Sequence, residues 1–162
     1  MKTESEMIYG TYTVALDTQG RFIVPSDWIP LLGENVIIAR GVAPGNQHFL
    51  TVYPLEYFEE TLEDFAHNAP SDTDKQALSR KYLRYTYAAK IDAKKRRLSI
   101  PSSNITYAGL GNSVLITPNC VAKKPIFEVW DPDTFEDADS EMSDDKYREE
   151  LKKNAEEWKA MR

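Results

Sequence analysis

Short runs of alternating apolar and polar residues recur along the chain, and turn-forming residues separate them. Apolar side chains occupy every second position on both sides of residues 18–20, which predicts two strands joined by a tight turn. Gly20 suits this turn because glycine readily adopts the positive φ that tight hairpin turns often require. Pro25 ends the second strand, since proline has no N–H to donate to a sheet. A further pair of strands is predicted at residues 36–40 and 49–53.

The pattern of the first half of the chain returns in the second half. The repeated positions are Asp17 and Asp92, Pro25 and Pro101, Val36 and Val114, and Val52 and Val129, at offsets of 75, 76, 78 and 77 residues. A nearly constant offset through four blocks indicates a tandem duplication. We therefore expect the second copy to have its own pair of longer strands, at residues 114–117 and 126–130.

Helices are predicted after each copy, between the copies and near the C-terminus. The predicted starts are Leu55, Asp72 to Asp74, Pro132 with Asp131 as its N-cap, and Asp144 to Asp145. The helix between the copies extends to about Tyr85, and its apolar residues recur one turn apart, which predicts a packed face. These residues are Leu78, Tyr82 and Tyr85. The last helix has a similar stripe, formed by Tyr147, Leu151, Ala155 and Trp158.

The composition is that of a globular protein with one domain or two small ones. Of the 162 residues, 28% are charged and 11% aromatic, and the longest aliphatic run, residues 36–39, is far shorter than the ~18 residues that a membrane helix needs. Acidic residues stand near the N-terminus where a signal peptide would be apolar, and the single Cys120 cannot form an internal disulfide. We therefore expect a cytosolic protein without a membrane partner.

Positive charge is concentrated in one segment, although the chain as a whole is acidic. The net charge is −6, and residues 131–162, with 12 acids and 6 bases, account for all of it. Residues 75–97 carry nine bases and one acid. A local positive field attracts polyanions, so this segment indicates nucleic-acid binding, the alternative being a solvated helix face and a charged turn. The acidic tail either competes with nucleic acid for these bases or serves solubility only.

No residue spacing typical of a catalytic or metal site is present. The two histidines, His48 and His67, do not stand at ligand spacing with Cys120, and no nucleophile-elbow sequence occurs. Cys120 lies in a predicted loop at residues 118–125 without a basic cluster that would activate its thiol. We therefore expect no enzymatic activity, no cofactor and no small-molecule substrate.

Both copies contain the motif Asp-x-x-x-Arg, followed by a strand and a proline, at residues 17–21 and 92–96. In these motifs the chain resembles the MraZ family of bacterial transcriptional regulators, a branch of the swapped-hairpin AbrB-like fold, over about residues 7–137. The other segments that carry the resemblance are residues 10–12, 52–56, 84–89, 107–110 and 127–131. The resemblance implies sequence-specific binding of double-stranded DNA at short direct repeats near the promoter of the division and cell-wall gene cluster.

The resemblance also implies the architecture of the protein. It predicts an α+β fold of tandem duplicated swapped-hairpin AbrB-like β-barrel units with helices. These chains are expected to assemble as a ring-shaped homo-oligomer, for example an octamer. The expected units are residues 7–82 and 83–137, followed by an acidic helical tail at 138–162. Such a regulator is expected in the cytoplasm, associated with the nucleoid. The alternative from another class is an antitoxin-like or scaffold module that binds a protein and lacks specific DNA binding.

The two turns are the expected site of DNA contact. The residues assigned to it are Asp17, Thr18, Gln19, Gly20, Arg21, Asp92, Lys94, Lys95, Arg96 and Arg97. An arginine guanidinium offers two donors to O6 and N7 of guanine, and a neighbouring carboxylate can hold it in one orientation. The alternative is an ordinary hairpin turn with an exposed ion pair, which contributes little to stability.

The second turn differs from the first. Lys95 stands where the first turn has glycine, and one more residue separates Asp92 from its proline. Either Arg96 or Arg97 can then contact bases, with the other on phosphate. We favour Arg96 because it keeps the spacing to Asp92, and we expect a β-bulge to absorb the extra residue. The basic run in this turn predicts phosphate affinity, while the first turn specifies sequence.

Overall fold

The computed structural model describes residues 7–43, 45–121, 124–140 and 144–160. In this part of the chain eight strands and six helices form a mixed α+β fold. The strands are β1 (Tyr12–Ala15), β2 (Arg21–Ile23), β3 (Asn35–Ala43), β4 (Gln47–Pro54), β5 (Tyr87–Lys90), β6 (Arg97–Ser99), β7 (Ser113–Val121) and β8 (Lys124–Trp130). The helices are α1 (Ile29–Leu32), α2 (Leu55–His67), α3 (Asp72–Leu83), α4 (Ser102–Tyr107), α5 (Pro132–Ser140) and α6 (Asp144–Ala160).

The strands form two antiparallel sheets. Six of them lie in the order β1-β7-β8-β4-β3-β5, and β2 and β6 form a separate two-stranded ribbon. If the strands β1 to β4 of the first half are exchanged with the corresponding strands β5 to β8 of the second half, the strand order of the six-stranded sheet is reversed. The same exchange leaves the pairing of β2 with β6 unchanged. The strands predicted from alternation are confirmed in both halves, and the longer ones extend beyond their predicted ends.

The two halves of the chain are interleaved. Neither strand of the first short hairpin pairs with the other, because β1 pairs with β7 and β2 pairs with β6. In the ribbon, Phe22 lies opposite Leu98. In the larger sheet, β5 of the second half pairs with β3 of the first, where Ala89 lies opposite Val36. Each half therefore completes the sheets of the other.

A single buried cluster joins the ribbon to the larger sheet. Phe22, Val24 and Leu98 are almost completely buried in it, together with Trp28 and Phe127. The ring of Phe127 lies 5.3 Å from that of Trp28 and 6.2 Å from that of Phe22, measured between centroids. Full burial of a large apolar side chain is worth about 1.5–3 kcal/mol, so these contacts hold the ribbon, and with it the two turns, in a fixed position.

The helix between the copies differs from its prediction. Its N-cap is Ser71, whose Oγ accepts the N–H of Asp74 at 3.1 Å, so the predicted capping residues lie inside the first turn. The helix ends at Leu83, and Tyr85 lies beyond it with an exposed ring. The side chain of Tyr82 lies outside the described residues. Of the described side chains of the predicted packed face, Leu78 is half-buried and Tyr85 is exposed.

Other boundaries add two corrections. The segment at residues 118–125 is a hairpin rather than a loop, because β7 continues through Val121 and pairs Cys120 with Pro125 of β8. The short helices α1 and α4 were not predicted. The starts of α2, α5 and α6 are confirmed, and the carboxylate of Asp131 accepts the N–H of Thr134 as the N-cap of α5.

Helix α6 is largely exposed within one chain. Its stripe residues Leu151 and Trp158 are 51% and 57% exposed. The side chain of Tyr147, from the same stripe, lies outside the described residues. None of the helices in the described part of the chain combines the length and apolar content that a membrane crossing requires.

Candidate nucleic-acid interface

The first turn joins β1 to β2 through a three-residue loop. The N–H of Asp17 donates to the carbonyl of Arg21 (2.9 Å), and the N–H of Gly20 donates to the carbonyl of Asp17 (3.0 Å). Gly20 has a φ of 76°, as this kind of loop requires at its last position. A Cβ there would also stand 2.8 Å from Cδ1 of Ile105 and 3.0 Å from the carbonyl oxygen of Ile100. The turn therefore depends on glycine for two separate reasons.

The carboxylate of Asp17 organises this turn. Its Oδ1 accepts the backbone N–H groups of Gln19 and Arg21, each at 2.9 Å, and its Oδ2 accepts Nε of the Arg21 guanidinium at 2.9 Å. The backbone N–H of Arg21, followed by its guanidinium and the N–H of Gln19, holds the pKa of Asp17 below its usual value. The ionised carboxylate thus fixes both the backbone of the turn and the orientation of the arginine.

The guanidinium of Arg21 remains accessible after this pairing. Its side chain is 32% exposed, and that of Asp17 is 39% exposed. The carboxylate takes only Nε, and the two terminal nitrogens of Arg21 have no partner among the described residues. Two donors in one plane match the O6 and N7 acceptors that guanine presents in the major groove. The geometry that the motif suggested is present, and the DNA contact itself stays a prediction.

The second turn joins β5 to β6 through a four-residue loop. The N–H of Asp92 donates to the carbonyl of Arg97 (3.1 Å), and the N–H of Arg96 donates to the carbonyl of Asp92 (2.5 Å). The carboxylate of Asp92 accepts the N–H groups of Lys94 (3.0 Å) and Lys95 (3.3 Å). The N–H groups of Lys95 and Lys94, in that order, hold the pKa of Asp92 below its usual value. An ionised aspartate therefore organises this turn as well.

Arg97, and not Arg96, occupies the position that Arg21 has in the first turn. Asp92 bonds to the carbonyl of Arg97 as Asp17 bonds to that of Arg21. Further along, the N–H of Val24 donates to the carbonyl of Arg96, and the N–H of Ile100 donates to that of Gly20. Exchanging the two halves of the chain converts one of these bonds into the other, because Val24 matches Ile100 and Gly20 matches Arg96. Arg96 is therefore the counterpart of Gly20. The expectation that Arg96 corresponds to Arg21 was wrong, because the second loop is one residue longer.

The glycine position of the second turn is therefore filled by an arginine with left-handed backbone. Arg96 has a φ of 57°, close to the 76° of Gly20, whereas Lys95 was expected at this place. No β-bulge is needed, since the loop itself holds the extra residue. Among the described residues Asp92 forms no ion pair with either neighbouring arginine. The second turn thus offers more positive charge than the first, with less of it held by its aspartate.

The two turns lie at opposite ends of the β2–β6 ribbon. Because the ribbon is antiparallel, Arg21 at the start of β2 faces Ser99 at the end of β6, and Arg97 faces Ile23. The remaining predicted contact residues, namely Thr18, Gln19, Lys94 and Lys95, are exposed in the loops, and Arg96 is partly buried. The ribbon therefore presents one aspartate-organised turn at each end.

Other candidate groups contribute less to such an interface. Lys124 is paired with Glu60 of α2, which raises the pKa of the lysine, and Cys120 is an exposed free thiol. The ring of His48 stacks on that of Tyr107, with centroids 4.2 Å apart. In the described part of the chain, no three His, Cys, Asp or Glu side chains are grouped as they would be around a metal ion.

Comparison with known proteins gives a consistent result. A family model described as "MraZ protein, putative antitoxin-like" matches residues 7–81. The "Transcriptional regulator MraZ" of Acetivibrio thermocellus is 31% identical over 148 residues, which cover 90% of this chain and 96% of that protein. The protein of the same name from Limosilactobacillus fermentum is 30% identical over 132 residues, covering 80% and 84%. That from Leuconostoc citreum is 29% identical over 141 residues, covering 85% and 90%.

Proposed function

The chain belongs to the MraZ family of transcriptional regulators, and on this premise we propose that it binds promoter DNA sequence-specifically through its two hairpin turns. The curated relatives are named as regulators of transcription and not as enzymes. The observation that carries the proposal is the Asp17–Arg21 pair, in which a carboxylate holds one nitrogen of an accessible guanidinium and leaves two others for a ligand. A fixed guanidinium loses little entropy when it binds guanine.

The two turns have different parts in this proposal. Arg21 reads a guanine, and Arg97 is its structural counterpart in the second turn, so we assign the second base contact to Arg97 in place of Arg96. Lys94, Lys95 and Arg96 contact phosphate, because they stand in the loop itself and add charge without a fixed orientation. The second turn thus supplies more of the affinity, and the first supplies more of the specificity.

Duplication and assembly extend this proposal. Exchange of the two halves gives the same sheet order read from the opposite edge, which supports tandem AbrB-like swapped-hairpin units at residues 7–82 and 83–137, with a tail at 138–162. Each chain then offers two turns, and a ring-shaped homo-oligomer, for example an octamer, arrays many of them. Such an array fits short direct repeats near the promoter of the division and cell-wall gene cluster. Exposed apolar side chains such as Ile23 and Leu83 support burial between copies. We place this regulator in the cytoplasm, on the nucleoid.

A second candidate function rests on α6 and on the family description. The matching model is described as antitoxin-like, and Leu151 and Trp158 are exposed on one side of α6. An exposed apolar stripe on a helix is typical of a surface that binds a partner protein. This alternative predicts an unchanged partner interaction when the turns are altered, and no sequence preference on DNA.

The test begins with selection of duplexes from a random library by the full-length protein. Binding of the selected duplex and of a scrambled duplex is then measured by fluorescence anisotropy over a range of salt. We expect Arg21→Ala to weaken binding of the selected duplex by about 1–3 kcal/mol per occupied contact, with a much smaller effect on the scrambled duplex. Lys152→Ala/Lys153→Ala on α6 is the matched control and should change neither.

A second variant separates phosphate contacts from base contacts. Lys94→Ala/Lys95→Ala should weaken both duplexes about equally and reduce the salt slope by roughly one unit for each phosphate that is no longer bound. Selection that enriches no sequence, or equal losses on both duplexes for Arg21→Ala, would contradict the proposal and favour the protein-binding alternative.

A further inference from the structure

A groove separate from the two turns lies between α3, the C-terminal half of β3 and α4. Its volume is about 720 Å³, within the range of roughly 300–1,000 Å³ that small-molecule sites occupy. Ten residues line it, and among them are the bases Arg40, Arg80, Lys81 and Arg84 and the aromatic residues Tyr85 and Tyr107. Four of these ten side chains are basic and none is acidic.

One of the four bases forms a rigid wall of the groove. The guanidinium of Arg40 lies between two aromatic rings, 3.8 Å from the centroid of Tyr85 and 4.4 Å from that of Tyr107. Its Nε donates to Oδ1 of the fully buried Asn104 (2.9 Å), and a terminal nitrogen donates to the carbonyl of Ser103 (3.3 Å). Arg40 therefore brings a fixed positive charge to the groove, and no carboxylate of the described residues neutralises it.

The other three bases follow one side of α3 at the rim. Arg80 and Arg84 are one helical turn apart, and Lys81 lies between them in the chain. None of the three forms an ion pair with a described carboxylate, although Lys75 of the same helix pairs with Asp72. Like charges this close repel one another, and a bound anion relieves that repulsion.

The floor of the groove is apolar and aromatic. Ala39, Val42 and Ala77 line it together with the rings of Tyr85 and Tyr107, and Val42 is 59% exposed. The ring of Tyr107 already stacks on His48 and on the guanidinium of Arg40. The ring of Tyr85 carries the guanidinia of Arg40 and Arg84, so the floor offers ring edges and methyl groups. Burial of these groups favours an apolar ligand body. The floor and the rim thus select different parts of one ligand.

We propose that this groove binds a small organic phosphate whose body is apolar. The phosphate is held by Arg80, Lys81 and Arg84, and the apolar body lies against Ala39, Val42 and Ala77. The proposal does not depend on DNA binding, because the groove residues belong to α3, the segment 84–86 that follows it, β3 and α4, and none belongs to either turn.

The experiment is isothermal titration of the full-length protein with 1-naphthyl phosphate, which has both parts of the proposed ligand. Inorganic phosphate and 1-naphthol each have one part. We expect saturable binding of 1-naphthyl phosphate with a Kd below about 1 mM, and binding of the two partial compounds at least about tenfold weaker. No saturable binding below about 1 mM, or equal affinity for 1-naphthol, would overturn the proposal.

Variants locate the binding. Arg80→Ala/Arg84→Ala should weaken 1-naphthyl phosphate about tenfold or more, because charged hydrogen bonds to phosphate are removed. Ala77→Trp, which fills the groove from the exposed side of α3, should weaken it as well and gives an independent test if the double variant does not fold. Lys152→Ala/Lys153→Ala, which removes two bases outside the groove, should bind like the unaltered chain. Unchanged affinity in a folded groove variant would overturn the proposal, even if that variant bound DNA more weakly.

Discussion

Exchanging the arginine with left-handed backbone for glycine should stabilise the protein. Arg96 has a φ of 57° at the position where the first turn has Gly20. A side chain in this conformation costs roughly 1–2 kcal/mol, whereas glycine costs about 0.5–1 kcal/mol through the larger entropy of its unfolded chain. Arg96→Gly should therefore raise the free energy of unfolding by about 0.5–1 kcal/mol.

The neighbouring residue provides a control with the opposite sign. Arg97 is the first residue of β6 and lies opposite Ile23 in the ribbon. Glycine in a strand lowers stability by roughly 0.5–1 kcal/mol, so Arg97→Gly should be destabilising. Each variant removes one positive charge from the same turn, so an effect of opposite sign reports the backbone conformation at the two positions.

Differential scanning calorimetry measures this difference directly. For a chain of this size, 1 kcal/mol corresponds to about 2–4 °C in Tm, so Arg96→Gly should raise Tm by about 1–4 °C and Arg97→Gly should lower it by a similar amount. Both must be measured at one protein concentration, because oligomerisation shifts Tm. If Arg96→Gly lowered Tm while Arg97→Gly raised it, Arg96 would be the strand residue, and the assignment of Arg97 as the counterpart of Arg21 would be refuted.

Three further predictions concern stability. Gly20→Ala should lower the free energy of unfolding by at least about 1–2 kcal/mol in urea denaturation, since its φ is positive and a Cβ would meet the carbonyl of Ile100; an unchanged midpoint would contradict this. Because the folded-state pKa of Asp17 is lowered, its ionised form stabilises the fold above about pH 4, and this contribution is lost as pH falls through that pKa. Asp17→Asn should therefore lose less Tm than the unaltered chain between about pH 4 and pH 3, and equal losses would contradict it. Arg40→Ala leaves the buried Oδ1 of Asn104 without its donor and should cost about 1–3 kcal/mol of unfolding free energy, whereas Arg80→Ala should cost little.

Local patterns of the sequence predict the strands well but not their partners. Alternation identifies the short strands in both halves, and Gly20 and Pro25 mark the turn and the strand end in the first half. Pairing of β2 with β6 joins residues more than 70 positions apart, and no local pattern encodes it. The helix α1 has only four residues, too few to show a helical period.

The second turn shows how a motif can mislead. Counting from Asp92 selects Arg96, because the motif fixes the spacing between aspartate and arginine. The loop has one residue more, so the apolar positions give the correct alignment: Phe22 and Val24 match Leu98 and Ile100 at the offset of 76 that the prolines also show. The sequence therefore contained this signal in its buried residues.

The groove beside α3 had no comparable signal. The bases of α3 stand out in the sequence, but Arg40 and Tyr107 come from distant segments and meet only in the fold. The sequence separations between Arg40 and the two tyrosines follow no local pattern that would predict their contact.

The contact between Arg21 and a guanine base is tested most directly by removing its acceptor from the DNA. Each guanine of the selected duplex is replaced in turn by 7-deazaguanine, in which N7 becomes a C–H group, and binding is measured for the unaltered chain and for Arg21→Ala. We predict that one such replacement costs the unaltered chain about 1–3 kcal/mol and costs Arg21→Ala almost nothing more. If Arg21→Ala stayed as sensitive as the unaltered chain at every guanine, Arg21 would not read a base, and the account of the first turn would be contradicted.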